Sequence, residues 1–191
     1  FEKKYTQFSD ADIQKFANGS DLWRYPNTNW FNEVLKSWSM QHIANVSMSG
    51  GNEAVQTYVS LSSRYQDGFF KNSGSNYAQQ DIKANIDGKI NKYISLGVDL
   101  SGRMEQGNFL PVGSATLFYE LQSASPLLPA RWPNGLPGPP LDMTTQHNPV
   151  VQSTSEAGYH RTENYVFNLT AKLDVKVPWV EGLMWTTTGA V

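Results

Sequence analysis

The segment Lys92 to Glu105, which reads KYISLGVDLSGRME, decides how this chain is interpreted. Apolar side chains occupy every second position from Ile94 to Leu100, and mostly polar residues and glycine lie between them. Because successive side chains of a β-strand point to opposite faces, the segment is predicted to be a strand with one apolar and one polar face. About ten residues at ~3.4 Å each, tilted by about 45°, rise roughly 24 Å, which is close to the apolar thickness of a bilayer. The apolar face is therefore expected to meet either a protein core or lipid.

Composition excludes several classes of protein. The 191 residues carry a net charge of −2 and no run of basic residues, so a nucleic-acid partner is not expected. The chain has no cysteine, which excludes disulfides and thiolate metal sites. Transmembrane helices are excluded because no segment approaches about 18 consecutive apolar residues, a criterion that alternating membrane strands escape. The chain begins at Phe1 with no visible signal peptide, which we interpret as a segment of a longer protein.

Five further segments show the same alternation of apolar and polar residues. The connections between successive strands alternate in length: short at Gly50, long from Gln66, short at Gly88, very long from Gln106 and short at Pro178. Short turns at one end of the strands and long loops at the other are typical of outer-membrane β-barrels. The five segments lie at residues 40–49, 55–64, 78–87, 165–175 and 183–191.

The apolar faces of these strands carry no charged residue near their centres. Tyr65, Tyr165 and Trp185 are candidates for the aromatic girdle that such barrels place at the bilayer surface. We therefore predict an all-β fold, a segment of a large transmembrane β-barrel with about six antiparallel strands and short helices in its outer loops. The apolar band consists of Ala44, Val46, Val59, Leu61, Ile82, Ile86, Leu96, Val98 and Leu169.

Three short helices are expected in the loops. Ser9 is a suitable N-cap for the first and Gly19 a suitable stop; the second is predicted from Trp30 to Trp38, and the third at residues 114–122. The predicted parts of the chain are an outer loop with two short helices at residues 1–39, barrel strands in two hairpins at residues 40–104, a long extracellular loop at residues 105–158, and barrel strands at residues 159–191.

Two other classes of protein fit the same alternation. A secreted, soluble β-sandwich also has strands with one apolar and one polar face, and its loop aromatics could bind carbohydrate. A β-rich accessory domain of a hydrolase is a third possibility. Solubility without detergent would distinguish the sandwich from the membrane segment.

Several stretches, taken in order, resemble one family. They are YPNTNWF at residues 25–31, QHIANVSMSGG at 41–51, YVSL at 58–61, QDG at 66–68, LGVDLSGR at 96–103, WPNG at 132–135 and NP at 148–149. This series is similar to the first barrel strands of SusC/RagA-type TonB-linked outer-membrane transporters of Bacteroidetes-like Gram-negative bacteria. The resemblance extends over most of residues 20–190.

The resemblance implies a plugged barrel of about 22 strands in the outer membrane. It implies a SusD-like surface lipoprotein that closes over the outer loops, and energy from TonB, which would act through a part missing at the N-terminus. The expected cargo is a glycan or a peptide. The plug, the TonB box and the rest of the barrel are not in this sequence, which again indicates a segment of a larger protein.

No catalytic or cofactor site is expected. His42, His147 and His160 are scattered along the chain and share no motif with one another, so neither a metal site nor a catalytic triad is predicted. Hydrolase, metalloprotease and phosphate-loop motifs are also missing from the sequence. We therefore predict that the chain is not an enzyme and binds no cofactor.

The candidate functional residues fall into two groups. The first group comprises polar residues that would face the lumen or the plug: Asn45, Arg64, Lys83, Asp99, Arg103, Asn168 and Lys172. The second comprises loop residues that would contact the lipoprotein or the substrate, unless they only pack the loop: Phe118, Tyr119, Arg131, Trp132 and Tyr159.

Overall fold

The computed structural model describes residues 7–141 and 147–191. Backbone contacts divide the chain into two compact units. The loop unit comprises Phe1–Ser39, Gly68–Ser75 and Asn108–His160, and the sheet unit comprises Met40–Asp67, Asn76–Gly107 and Arg161–Val191. The two stretches of chain predicted as separate outer loops, together with the connection at residues 68–75, therefore form one unit.

The sheet unit is built from one antiparallel sheet whose strands follow one another in sequence order. This arrangement confirms the all-β fold class and the six strands expected from the alternation. The strands are β1 (Gln41–Gly51), β2 (Val55–Asp67), β3 (Asn76–Lys89), β4 (Ile94–Phe109), β5 (His160–Lys176) and β6 (Met184–Ala190).

The register keeps like residues together across the first three strands. Val46 lies opposite Leu61, and Leu61 lies opposite Ile82, so these apolar residues form a row on one face. The next row, on the other face, is Asn45, Ser62 and Asp81. Because the side-chain period of a strand is two, a slip of one residue would mix the two faces, and the observed register avoids this.

Asparagine side chains shape two of the short turns. Asn52 Oδ1 accepts hydrogen bonds from the backbone N–H groups of Ala54 and Val55, at 2.8 and 2.9 Å. Asn91 Oδ1 does the same for Tyr93 and Ile94, at 2.8 and 3.0 Å. Such side-chain caps satisfy the backbone donors of a tight turn, which explains why the chain reverses in a few residues here.

All the strands in the described part of the chain belong to this one sheet. A β-sandwich needs a second sheet packed about 10 Å away against the apolar face. Leu96, on the apolar face of β4, is instead 39% exposed. The β-sandwich alternative is therefore wrong for residues 7–141 and 147–191.

The hydrophobic core lies in the loop unit. Its helices are α1 (Asp10–Asn18), α2 (Trp30–Val34), α3 (Ser114–Ser123) and α4 (Pro149–Gln152), with a 3₁₀ turn at Ser155–Ala157. None of the helices in the described residues is both long and apolar enough to cross a membrane. The core consists of Trp30, Val34, Phe70, Leu110, Leu117, Leu121, Ala130 and Val150.

The first helix is capped as its sequence predicts. The backbone N–H of Asp12 donates to Ser9 Oγ at 3.2 Å, and the Asp12 carboxylate accepts from the Ser9 N–H at 3.1 Å. Gly19 ends the helix with a φ of 65°. This reciprocal pair satisfies two backbone donors at the start of the helix.

The second helix is shorter than the Trp30–Trp38 segment predicted from its spacing. It ends at Val34, and Leu35 is extended. Leu35 forms an isolated bridge with Phe70, and the Lys36 N–H donates to the Phe69 carbonyl at 2.8 Å. Backbone pairing with the 68–75 segment therefore ends the helix, a tertiary effect that local periodicity does not report.

The ends of two strands also differ from the prediction. β4 continues to Phe109, beyond the expected start of the long loop, and β5 begins at His160 rather than near residue 165. The extra residues are largely polar, so the alternation that marks the strand centres fades there while the backbone pairing continues. The described parts of the long connection between these strands hold α3 and α4 and contribute to the core.

Candidate functional site on the two faces of the sheet

The apolar face of the sheet is uncovered. Val46 is 70% exposed, Met48 74% and Phe167 61%. Charged residues on this face of the strands occur only near the loop ends. They are Asp67 on β2 and Arg161 and Glu163 on β5. A face this apolar and this exposed calls for an apolar environment that the described residues do not supply.

The opposite face carries a network of charged and polar side chains near the loop ends of β3 and β4. Arg103 Nε donates to Asp81 Oδ1 at 2.7 Å, and Arg103 Nη1 lies 3.8 Å from Glu105 Oε1. Gln79 Nε2 donates to Asp81 Oδ2 at 2.8 Å. The hydroxyl of Tyr77 lies 3.0 Å from both Glu105 Oε1 and Gln79 Oε1, which closes the ring of contacts.

A second polar group lies toward the short-turn end of β5. Lys172 Nζ is 3.0 Å from Asp174 Oδ2, and Thr186 on β6 donates to Asp174 Oδ1 at 2.6 Å. Gly97 of β4 faces this region, since a Cβ there would lie 3.8 Å from Lys172 Cβ and 3.0 Å from Asp87 Oδ1. The polar face is thus hydrogen-bonded along much of its length.

The residues predicted to face a lumen lie on this polar face, but only some of them are brought together. Asn168 Nδ2 donates to Ser101 Oγ at 3.3 Å. Arg103 bonds Asp81 rather than Asp99. Arg64 and Lys83 lie on the same face by register, opposite Gln79 and Ser60, and Asn45 lies opposite Ser62.

The network partners Tyr77, Gln79, Asp81 and Glu105 were missed by sequence reasoning. Alternation alone could have placed them on the polar face. Tyr77, Gln79 and Asp81 are spaced by two residues from one another and from Lys83 on β3, and Glu105 is two residues from Arg103 on β4. What the sequence lacks is the register between the strands, which decides whether Arg103 meets Asp81.

The predicted loop residues separate into packed and exposed side chains. Phe118 is half-buried, with its ring centroid 5.7 Å from that of Phe69 and 6.2 Å from that of Phe70. Tyr119 and Tyr159 are 72% and 70% exposed. The outward side chains of this group are therefore better placed than Phe118 to meet another molecule.

Trp132 and Arg131 share a turn in the loop unit. Arg131 Nη1 donates to the Gly135 carbonyl at 3.4 Å, and Gly135 adopts a φ of 86° that glycine tolerates best. The indole of Trp132 stacks on that of Trp23, with ring centroids 5.5 Å apart and an interplanar angle of 21°. Trp23, itself 55% exposed, was not predicted because it lies more than a hundred positions away in sequence.

The histidines do not converge on a catalytic constellation in the described residues. His42 stacks on Tyr65 in the sheet unit, with centroids 5.4 Å apart, while His147 Nδ1 lies 3.3 Å from Glu120 Oε1 in the loop unit. No group of three or more potential metal ligands occurs among residues 7–141 and 147–191.

Comparison with solved structures gives a likeness that bears on the fold. No protein-family model and no curated protein matches the sequence. A solved structure of the RagAB peptide importer in the 'closed-closed' state matches 86% of this chain with a TM-score of 0.57 and 16% sequence identity. The chain spans 18% of the length of that importer chain. At this identity the likeness shows a shared fold, in agreement with the family resemblance noted from the sequence.

Proposed function

We propose that this chain forms part of the barrel wall of a TonB-dependent outer-membrane importer of the SusC/RagA type, in a Bacteroidetes-like Gram-negative bacterium. The observation that carries the proposal is the sheet itself: one face is apolar, exposed and uncharged at its centre, and the other is lined with hydrogen-bonded charges. Lipid accounts for the first face and an aqueous lumen or a plug for the second.

The open edges of the sheet support the same assignment. β1 pairs with β2 and β6 pairs with β5, and neither has a second neighbour in the described residues. Unpaired backbone groups are not tolerated in lipid, so each edge would pair with a further strand of a closed barrel. The alternation of short turns and long connections agrees with a barrel whose long loops lie outside the cell.

The loop unit suits contact with a partner or a substrate. Its core is packed, so the exposed side chains of Tyr119, Arg131 and Tyr159 and the half-buried side chain of Trp132 are held on an ordered support. We assign these residues to contact with a SusD-like surface lipoprotein or with cargo. The RagAB structure is described as that of a peptide importer, so peptides are the first cargo class to test and glycans the second.

A transport role requires neither catalysis nor a cofactor, and we propose none for this chain. The polar side chains of the sheet serve to line a pathway or to hold a plug. The TonB contact would be made by another part of the complete protein.

Uptake by cells that carry the complete protein tests the proposal. Cells expressing the protein with its lipoprotein partner should accumulate fluorescent oligopeptides or oligosaccharides, and deletion of the transporter or of TonB should abolish accumulation. Recovery of the protein in the soluble periplasmic or secreted fraction, or uptake that is unchanged without TonB, would contradict the proposal.

A further inference from the structure

The apolar face of the sheet is not a uniform surface but contains a groove. The groove has a volume of about 710 Å³ and crosses the middle strands of the sheet unit. Asp81 and Arg103 also border it, but their side chains bond each other on the polar face. Ser62 and Val166, which also belong to the polar face, border it as well. The remaining lining side chains lie on the apolar face of β1 to β5 and carry no charge.

Glycine forms part of the groove floor. Gly102 lies on the apolar face of β4. A Cβ at this position would lie 3.0 Å from Ile82 Cγ2. Phe167 on β5 also lines the groove and is 61% exposed, as is Leu61 on β2 at 55%. Ile82 Cγ2 covers part of this floor, and the space that remains beside Gly102, between Leu61 and Phe167, is a slot of the kind an extended hydrocarbon chain fills.

The polarity of the groove increases along the strand direction toward the loops. Its row nearer the short turns is apolar and contains Val46, Leu61 and Ile82 in register. The next row toward the loops is Ala44, Ser63 and Gln80, which brings a hydroxyl and an amide to the same surface. The groove therefore has an oily body and a neutral, hydrogen-bonding rim.

The rim lies at the depth where a lipid changes from chain to headgroup. Counted from the short-turn ends of the strands, Ser63 is the ninth residue from Val55 and Gln80 the tenth from Lys89. About 9–11 tilted residues span the hydrocarbon layer. His42 and Tyr65, which stack on the same face, come one row farther toward the loops, where aromatic girdles lie. Tyr165 lines the rim from β5.

From this gradient we infer that the groove is a specific lipid site, in which one acyl chain of an outer-leaflet lipid lies over Gly102 and its ester or amide carbonyl accepts hydrogen bonds from the rim. The inference rests on the proposed function, because it places the apolar face in the bilayer. The groove lining on this face has no cationic side chain, and Arg161, farther toward the loops, is accompanied by the acidic Glu163 and Asp67 on the same face, so recognition depends on the chain and the carbonyl rather than on an anionic headgroup.

Native mass spectrometry of the complete protein in detergent tests this site. Palmitoyl-oleoyl phosphatidylethanolamine added in increasing amounts should give one retained lipid per protein. Gly102→Leu, which fills the floor, should weaken retention about tenfold, since lost burial of about two methylene groups changes affinity by that factor. Gly97→Ala, on the polar face of the same strand, should retain lipid as the unmodified protein does. Phosphatidylglycerol should bind as well as phosphatidylethanolamine.

A second variant keeps the test decisive if Gly102→Leu does not fold. Phe167→Ala removes an exposed wall of the groove, so the barrel should still show the heat-modifiable gel mobility of a folded outer-membrane protein while lipid retention falls. Equal lipid retention by Phe167→Ala and the unmodified protein would overturn the site. Spectra in which the protein retains only detergent, and no lipid, would overturn it too. A change in the oligomeric state of the groove variants would also overturn it, because the groove would then be an interface between copies of the chain.

The failure of the site and the failure of the proposed function give different results. A protein recovered in the outer membrane whose groove variants retain lipid unchanged lacks the site but keeps its assigned location. If the protein is not recovered in the outer membrane, both the lipid site and the proposed function are wrong.

Discussion

Arg103 on β4 donates a hydrogen bond from Nε to Oδ1 of Asp81 on β3 at 2.7 Å, and this pair joins the neighbouring strands on the polar face. The Arg103 side chain is 49% exposed and the Asp81 side chain 27% in this sheet. Exposed ion pairs contribute about 0.2–1 kcal/mol, because water screens them and ordering two side chains opposes them. The pair therefore helps to hold the register rather than supplying most of the stability.

A double-mutant cycle measures this contact. Asp81→Ala and Arg103→Ala should each lower the free energy of unfolding of the complete protein by about 1 kcal/mol, with a coupling energy of up to about 1 kcal/mol. Urea titration in detergent micelles gives these values. The cycle Asp99→Ala with Arg103→Ala is the control and should show additive effects, because Arg103 bonds Asp81 and not Asp99. Coupling as large in the control cycle would contradict the contact.

Leu117 tests whether the core of the molecule lies in the loops. It is fully buried on α3, and Leu→Ala substitutions at such positions cost about 2–5 kcal/mol. Leu117→Ala should raise hydrogen exchange throughout the segments of the loop unit. Tyr119→Ala on the same helix removes a side chain that is 72% exposed and should leave exchange nearly unchanged. Equal effects from the two variants would show that α3 does not pack as described.

The cap of α1 predicts a dependence on pH. Hydrogen bonds from the Ser9 side chain, and next from Tyr25, hold the pKa of the Asp12 carboxyl below its usual 3.8. A carboxyl whose pKa is lower in the folded state stabilises that state above its unfolded pKa, and this stabilisation is lost as the pH falls through the lower folded value. Amide exchange of α1 should therefore be slow at pH 6 and faster, relative to the intrinsic rate, below about pH 3.8.

Substitution of the capping residues checks the cause. Asp12→Asn should remove the acid-dependent loss of protection in α1, whereas Asp10→Asn should retain it, since the bonds from Ser9 and Tyr25 are made to Asp12. Ser9→Ala should weaken the helix at all pH values by about 1 kcal/mol. If Asp12→Asn keeps the full pH dependence, another group is responsible.

Much of the sheet could be predicted from the sequence, and most of the network on it could not. Alternation at positions such as Ile94 to Leu100 reports which face a residue occupies, because a strand has a period of two wherever it lies. Register and long-range contact are not local properties. The Arg103–Asp81 bond and the Trp23–Trp132 stack depend on how distant segments align, which no pattern within either segment contains.

The helix prediction shows the same limit. Trp30 and Val34 have helical spacing and are both buried, so the identification of a packed helix was correct. Its end was wrong because Leu35 pairs with Phe70, a residue in a different connection. A helix that is one turn long is decided by its neighbours rather than by its own propensity.

The central claim is that the apolar face of the sheet meets lipid and the opposite face does not, and neighbouring residues of β2 test it most directly. Val59 lies on the apolar face, opposite Met48 and Ala84, and Ser60 on the polar face, opposite Lys83. Val59→Lys should lower the free energy of unfolding of the complete protein in phospholipid vesicles by about 2–4 kcal/mol, the cost of a lysine near mid-bilayer, while Ser60→Lys should change it by less than about 1 kcal/mol. Equal, small effects of the two lysines would contradict the claim, because they would show that both faces of this strand are in water.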